Sequence, residues 1–247
     1  MNYILSKRQN FFLRHLSLSC LIAFSILVWV FFIWYPSPLA QAVGVTQIFL
    51  MMLVIDVIVG PILGLLVYKE GKKSLKFDLT VIILLQLSAL FYGIYSIEQG
   101  RPVWIVFNVD RFELVRKNEI VDQNINQAKP QFQQPSWLKP QFVATEFSKN
   151  IEQRNDDMFA EVLDGISLAQ RPERYVDFIQ AKEQIQQRVQ KLDLLQQYNK
   201  KNDVEKILAQ YPQATAFLPL KASVVDMTVL VDQNSNVIKI VDLRPWH

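Results

Sequence analysis

Three long apolar runs occupy the first hundred residues of the chain. The first, Leu16 to Trp34, contains nineteen residues and no charge. As a helix it would span about 28 Å, close to the ~30 Å hydrocarbon core of a bilayer. The second, Val43 to Tyr68, is interrupted only by Asp56 and the pair Gly60-Pro61, and the third, Leu79 to Ile97, is again uncharged. The runs predict a membrane domain over residues 1–100 with three transmembrane helices, at about 16–34, 46–68 and 79–97.

The charged residues lie mostly beyond these runs. Residues 1–100 hold seven Lys or Arg and four Asp or Glu, whereas residues 101–247 hold nineteen of each kind. The net charge of +3 therefore belongs to the membrane domain. The balanced remainder argues against nucleic acid as a partner. It is long enough for one soluble domain with its own core.

Basic residues in the short connections predict the orientation, because Lys and Arg resist translocation. The connection from Tyr35 to Gln41 has no charge. The basic residues stand instead before the first helix or between the second and third, and they are Lys7, Arg8, Arg14, Lys69, Lys72, Lys73 and Lys76. The N-terminus is therefore expected in the cytoplasm, and the domain at 101–247 on the opposite side of the membrane.

A cleaved signal peptide is the alternative interpretation of the first run, since Ala40-Gln41-Ala42 resembles a processing site. The apolar region of a signal peptide has about 7–15 residues. This run is longer, which favours a transmembrane helix. Both interpretations give the same orientation.

Asp56 is the most unusual residue of the membrane domain, because a carboxylate near the bilayer centre costs about 2.5 kcal/mol or more. Counted along the helices, Gln86 and Ser25 fall at a similar depth, so the three side chains are expected to form one polar layer. Gly60 and Gly64 follow Asp56 at spacings of four residues, and this seam would let another helix approach closely. Asp56 could serve folding specificity, contact a transmembrane helix of a partner or take part in a proton pathway.

The remaining sequence predicts an α+β domain. Val103 to Val109 is typical of a strand that Phe112 to Val115 could continue, and residues 122–141, rich in Gln, Asn and Pro, predict a long loop. A helix is expected from a cap at Asn155 or Asp156, with an apolar stripe of Phe159, Val162, Leu163 and Ile166. After Arg171-Pro172 the pattern predicts a second, amphipathic helix of about seven turns that faces the core or docks a partner, with apolar positions between Tyr175 and Leu195. Strands at 224–231 and 237–241, joined by a turn at 232–236, predict a C-terminal hairpin.

Residues suited to catalysis or metal binding are scarce. The chain has two histidines, His15 and His247, and one cysteine, Cys20, within an apolar run. Seven glycines form no phosphate-binding loop. The adjacent acids Asp156 and Asp157 suit a helix N-terminus. We therefore expect no catalytic residues, no metal and no cofactor.

A series of short motifs resembles the type IV pilin accessory protein family (the TfpX/TfpZ type) of Gram-negative bacteria. The resemblance is firm from about residue 50 to 115 and at the C-terminus, and residues 116–215 carry no matching motif. The motifs are Asp56-Val-Ile-Val-Gly-Pro61, Lys76-Phe-Asp78-Leu, Gln86, Tyr92-Gly93, Arg101-Pro102-Val103, Phe107, Asp110-Arg111-Phe112 and Arg244-Pro245-Trp246.

The resemblance implies a non-catalytic protein of the bacterial inner membrane, with its C-terminal domain in the periplasm. Such a protein would modulate pilus assembly through contacts with pilin or with the inner-membrane assembly proteins. The candidate intramembrane contact residues are Asp56, Gly60, Gly64 and Gln86. The alternative functions are an extracytoplasmic sensor or signalling subunit, and a transporter or enzyme subunit built around Asp56.

The two Arg-Pro motifs allow a structural interpretation and an interface interpretation. If the first and last strands pair, Arg101-Pro102 and Arg244-Pro245-Trp246 would lie together near the membrane surface. Arg101 would then face lipid headgroups, Asp110 or Asp242. We favour the structural interpretation for the two Arg-Pro motifs, and Asp110-Arg111 is a candidate structural or interface motif as well.

Overall fold

The computed structural model describes residues 6–146, 150, 152, 155, 159, 161–163 and 165–246. The chain divides into two compact units. The helical unit comprises Met1–Ile33 and Val45–Gln99, and the sheet unit comprises Trp34–Gly44 and Gly100–His247. The connection between the first two long helices therefore belongs to the same unit as the C-terminal part of the chain.

Three long helices form the helical unit: α1 (Lys7–Trp29), which continues as a π-helix over Val30–Trp34, α3 (Val45–Val67) and α4 (Leu75–Gln99). All three are long and apolar enough to cross a membrane, so the three predicted spans are confirmed. Helices α1 and α4 begin earlier than their apolar runs. Ser6 starts α1 with a capping box to Gln9, and Asp78 in the first turn of α4 accepts a hydrogen bond from Ser74 Oγ at 3.0 Å.

Polar contacts join the helices at the end that carries the basic residues. Lys7 Nζ lies 3.3 Å from Glu70 Oε2, and Arg8 Nε donates to the Leu65 carbonyl at 2.7 Å. Lys72 Nζ lies 2.6 Å from Asp78 Oδ2. Arg8 thus satisfies a carbonyl at the C-terminus of α3, where a cation is also favoured by the helix dipole.

The sheet unit contains one curled, mixed sheet. Its strands are β1 (Pro102–Asn108), β2 (Arg111–Arg116), β3 (Gln141–Thr145), β4 (Tyr175–Asp177), β5 (Gln190–Lys191), β6 (Ala216–Lys221), β7 (Met227–Val231) and β8 (Val237–Val241). The spatial order is β4-β3-β1-β2-β6-β7-β8, with β5 added to β6. The pairs β1–β3 and β2–β6 are parallel, and the others are antiparallel.

Strand β1 is buried along its whole length, as its continuous apolar sequence requires of a strand covered on both faces. On one face Trp104 stacks edge to face with Phe132 and Tyr175, at centroid distances of 6.1 and 5.5 Å. Phe132 comes from the predicted loop at 122–141, which forms short 3₁₀ turns at Ile125–Gln127 and Pro130–Phe132. The loop therefore contributes to the core.

The predicted seven-turn helix is wrong. The chain from Tyr175 to Leu195 instead forms β4, a 3₁₀ turn (Phe178–Ala181), the short helix α5 (Lys182–Arg188), β5 and a second 3₁₀ turn (Leu192–Gln197). Pairing with β3 and β6 replaces helical hydrogen bonds at both ends. A helix that was not predicted, α6 (Lys201–Leu208), follows, and a one-turn helix, α2 (Leu39–Ala42), lies in the first connection.

The other predictions for this unit have mixed outcomes. The hairpin of β7 and β8 is confirmed, although β7 begins at Met227 and not at Val224. Phe112 to Val115 lies in β2 and returns antiparallel to β1. Strands β3 and β6 were missed. Asn155, Phe159, Val162 and Leu163 are helical, and the last three are exposed, so this stripe does not face a core. Asp156 lies outside the described residues.

Candidate functional site

A polar cluster of His15, Ser19, Asp56 and Gln86 joins the three long helices. Gln86 is its centre. Its Oε1 lies 3.0 Å from His15 Nε2, and its Nε2 donates to Ser19 Oγ at 3.2 Å and to the Asp56 carbonyl at 2.9 Å. One side chain of α4 thus binds two side chains of α1 and the backbone of α3. A half-buried amide with several partners on neighbouring helices fixes how the helices pack in an apolar medium.

Gly60 leaves the space that Gln86 occupies. A Cβ atom added at Gly60 would overlap Gln86 Oε1, and one added at Gly64 would lie 2.9 Å from Phe11 Cε1. The predicted glycine seam therefore exists as a close helix contact, and helices of the same chain fill it. Contact of these two glycines with a partner's helix stays a prediction.

Asp56 takes part in the cluster through its backbone, and its side chain remains half-buried. Its Oδ2 is buried without a hydrogen-bond partner among the described residues. Beside it lies a small cavity of about 40 Å³ whose lining includes Ser19, Leu53 and Gln86. Such an oxygen is costly in hydrocarbon unless a donor satisfies it.

The predicted polar layer is partly wrong. Ser25 is exposed on α1, and its hydroxyl donates to the Leu21 carbonyl of the same helix at 2.9 Å. Ser19 takes its place, and His15 joins from a position that the hydropathy pattern assigned to the cytoplasmic end. The spacing of four residues between His15 and Ser19, which puts both on one helix face, was the signal that could have identified them.

Arg101, Pro102, Asp110 and Arg111 lie around β1 and β2. Pro102 begins β1, and Arg101 beside it is only 1% exposed. Arg111 Nη1 lies 3.5 Å from Asp110 Oδ1, and its Nη2 lies 3.5 Å from Glu113 Oε1. Arg111 thus offsets the charge of the buried Glu113. The burial and these ion pairs support the structural interpretation.

Glu113 belongs to a buried hydrogen-bond network at the β1–β2 end of the sheet. Its two oxygens accept bonds from Asn108 Nδ2 at 2.9 Å and Ser167 Oγ at 2.7 Å. Thr145 Oγ1 donates to Asn108 Oδ1 at 3.0 Å. The network links β1, β2 and β3, and satisfied partners of this kind are what a buried carboxylate requires.

The C-terminal motif fastens the end of the chain. The Arg244 guanidinium donates to the Asp226 carbonyl and pairs with Asp242, and Trp246 Nε1 donates to Asp226 Oδ2 at 2.6 Å. Asn199 exchanges two hydrogen bonds with the Arg244 backbone, at 2.7 and 2.8 Å. Burial lowers the pKa of Arg244 from its usual value. Pro245 separates the two side chains that make these contacts.

The first and last strands do not pair, so the condition for the predicted meeting of the two Arg-Pro motifs is not met. Strand β1 is central in the sheet and β8 is at its edge, with β2, β6 and β7 between them. Asp242 pairs with Arg244, and Asp110 with Arg111. The buried Arg101 side chain is not at a surface where it could meet headgroups.

Comparison with known proteins identifies relatives over nearly the whole chain. A family model for the fimbrial assembly protein FimB matches residues 5–44. The fimbrial assembly protein of serogroup E1 from Dichelobacter nodosus is 31% identical over 239 residues, 93% of this chain and 92% of that relative. The serogroup I protein is 30% identical over the same shares. The chain belongs to the fimbrial assembly protein family.

A further member of the family, the fimbrial assembly protein of serogroups C1 and C2 from the same organism, is 35% identical over 116 residues. That stretch is 46% of this chain and 88% of the relative. No solved structure matches the chain. The resemblance inferred from the motifs is thereby confirmed at the level of the family.

The family model matches a part of the chain in which no motif of the pilin accessory family was found. Residues 5–44 contain His15 and Ser19 of the polar cluster and the whole connection Trp34–Gly44 of the sheet unit. Ala42 in that connection accepts hydrogen bonds from the backbones of Val224 and Val225, at 3.0 and 3.1 Å. Residues 5–44 therefore supply structural parts of both units.

Proposed function

We propose that this protein is a non-catalytic accessory factor of type IV pilus assembly, held in the bacterial inner membrane with its sheet unit in the periplasm. The observation that carries the proposal is the likeness, over 93% of the chain, to proteins named for fimbrial assembly. Three helices long enough to span a membrane support the location. The basic residues at one end of these helices support the orientation.

The partner that this proposal favours is pilin or an inner-membrane assembly protein, met through the helices. The inner face of the bundle is occupied by the polar cluster, so a partner's helix would meet the outer faces. Two residues of α3 near Asp56 differ in exposure: Ile55 is 52% exposed on the outer face, whereas Leu53 is only 5% exposed. Asp56 itself is half-buried. Helices in a membrane associate through close packing and polar contacts, and both are available here.

Deletion of the gene tests the function. Cells without the protein are expected to carry a changed number of surface pili and to show altered twitching motility, and a plasmid copy should restore both. Unchanged pili and motility in the deletion strain would refute the role in assembly.

Site-specific photo-crosslinking tests the contact. A photoreactive residue at Ile55 is expected to trap pilin or an assembly protein, and one at the buried Leu53 is the matched control that should trap only this chain. An Asp56→Asn variant keeps the size of the side chain and is expected to lower pilus output. Full pilus output in this variant, together with no trapped partner at Ile55, would rule out the intramembrane contact and leave the assembly role to other surfaces.

A further inference from the structure

The sheet unit contains an apolar groove of about 480 Å³. Its walls come from strands far apart in the sheet order: Ile105 of β1 and Phe142 of β3 on one side, and Ile240 of β8 on the other. Curling of the sheet brings them together. The volume falls within the range of about 300–1,000 Å³ that is typical of small-molecule sites.

Lysines supply the charge around this groove. The described residues that line it include Lys139, Lys182 and Lys239, and they include no Asp or Glu. Lys182 is held in place by a hydrogen bond from its Nζ to Asn236 Oδ1 at 2.6 Å. An apolar floor with three cations around it is complementary to an amphiphile whose polar end is an anion.

Covalent connection places one wall of the groove at the end of a membrane span. Residues Pro36 to Leu39 line it. Pro36 is only two residues beyond Trp34, where the first apolar helix ends, so the wall begins within about 7 Å of that end.

Two exposed apolar residues, Trp137 and Leu138, lie between Trp34 and the first lysine of the groove, Lys139. Trp34 Nε1 donates to the Trp137 carbonyl at 3.1 Å, and the two rings meet edge to face at 5.9 Å. Trp137 is 60% exposed and Leu138 is 52% exposed, and Lys139 of the groove follows directly. Tryptophan favours the interface between lipid and water, so this side of the unit is suited to contact with headgroups.

We propose that the groove binds an anionic phospholipid of the adjacent leaflet, with one acyl chain along the apolar floor and the phosphate among Lys139, Lys182 and Lys239. A lipid chain fits the lining better than a peptide segment does. The backbone of a peptide would need hydrogen-bond partners along its length, and the lining offers few polar groups besides the lysines, Ser37 and Asn236. This inference depends on the membrane location and is independent of the role in pilus assembly.

Photo-crosslinking with lipids tests the site. The full-length protein is placed in nanodiscs of phosphatidylcholine that contain either photoactivatable phosphatidylglycerol or photoactivatable phosphatidylcholine, and labelled peptides are identified by mass spectrometry. We expect phosphatidylglycerol to label peptides that contain Phe142 or Ile240, several-fold more than phosphatidylcholine does. Equal labelling by the two lipids, or labelling of the three long helices alone, would overturn the proposal.

Charge reversal tests the contribution of the lysines. A Lys139→Glu/Lys239→Glu variant is expected to lose at least about tenfold in labelling by phosphatidylglycerol, since each basic residue near an anionic surface contributes a factor of about five. The matched control, Lys201→Glu/Lys206→Glu, changes the net charge equally on α6, outside the groove lining, and should keep the labelling.

A variant without a charge change guards against misfolding of the charge-reversed protein. Ile179 lines the groove and is largely exposed, so Ile179→Trp should narrow the groove, lower the labelling and leave the melting temperature unchanged. Full labelling in both groove variants would overturn the proposal. So would a photoreactive residue at Ile179 that traps pilin in cells, since that result assigns the groove to a protein segment.

Discussion

Gly60 and Gln86 illustrate how one missing side chain fixes the position of another. A Gly60→Ala change would place a methyl group on Gln86 Oε1. The amide would have to move and give up its bonds to His15, Ser19 and the Asp56 carbonyl. We expect a loss of about 1–2 kcal/mol in bundle stability, the size of interhelical hydrogen bonds in membranes, measured by unfolding in detergent.

A double-variant cycle separates this effect from a general loss of packing. In a Gln86→Ala background the three amide atoms nearest to the added methyl group are absent, so Gly60→Ala should cost far less there. Gly93 is the control, because its Cβ atom would overlap Met52 Sδ. The loss of stability caused by Gly93→Ala should be reduced in a Met52→Ala background and unchanged in a Gln86→Ala background. Equal costs of Gly60→Ala in both backgrounds would contradict the arrangement.

Val109 is a strained residue in the sheet unit. It lies between β1 and β2 with φ at 61°, a conformation that β-branched residues rarely adopt. Asn tolerates this region, so Val109→Asn should stabilise the protein by about 1 kcal/mol, seen as a rise of about 2–4 °C in melting temperature. Val109→Thr keeps the branched Cβ and should leave the melting temperature unchanged. A rise with Thr equal to that with Asn would contradict strain as the cause.

The residues of the polar cluster show what could be predicted from the sequence and what could not. Asp56, Gly60 and Gln86 were found because polar or small residues are conspicuous in apolar runs, and residue counting gave their approximate depth. Counting does not give the direction around the helix. Ser25 is six residues from Ser19, a rotation of about 240°, and so it points away from Gln86. The spacing of His15 and Ser19 puts both on one helix face, and the packing of the three helices shows that this face meets Gln86.

At the scale of elements, the wrongly predicted helix from Tyr175 to Leu195 has an instructive cause. Its heptad positions are packed as expected: Ile185 is buried, Phe178 stacks near Phe112 and Phe142, and Leu192 packs against a core cluster. The apolar pattern thus predicted burial correctly. It did not predict the backbone, because sheet pairing of β4 and β5 with distant strands competes with local helix formation.

The turn between β7 and β8 gives a prediction about pH. Asp232 accepts hydrogen bonds from the Asn236 side chain and from the backbones of Asn236 and Asn234, at 2.8–2.9 Å. These bonds, with that of the Asn236 side chain the strongest, lower the pKa of Asp232 below its usual value. The stability they add is therefore complete above an unfolded pKa of about 3.9, and it is lost as the pH falls through the lower folded pKa.

Acid titration of the folded protein checks this turn. Asp232→Asn should reduce the loss of melting temperature between about pH 5 and pH 2 relative to the wild type. Asn236→Ala removes one donor and keeps the two backbone donors. Its loss of melting temperature in acid should therefore lie between those of the wild type and Asp232→Asn. An identical pH profile for all three proteins would show that the turn does not contribute.

At the scale of the whole molecule, the spans and the α+β class were predictable, and the sheet was not. Span prediction uses local apolar length, which the bilayer dictates directly. The order of the sheet depends on the parallel pairs β1–β3 and β2–β6, whose partners are distant in sequence. The connection Trp34–Gly44 also joined the sheet unit without a local signal, since Ala42 is bound by residues almost two hundred positions later.

That connection makes the topology testable. Because Trp34–Gly44 and Gly100–His247 form one compact unit, both must lie on the same side of the membrane, opposite the basic loop between α3 and α4. In a Cys20→Ala background, single cysteines at the exposed positions Gln41 and Asn234 should react with an impermeant maleimide in spheroplasts, whereas one at Lys72 should react only after lysis. If the cysteine at position 72 alone reacted in intact spheroplasts, the orientation would be the opposite of the one proposed. Different accessibility of positions 41 and 234 would contradict a single unit, because a segment bonded to the sheet unit cannot lie across the bilayer from it.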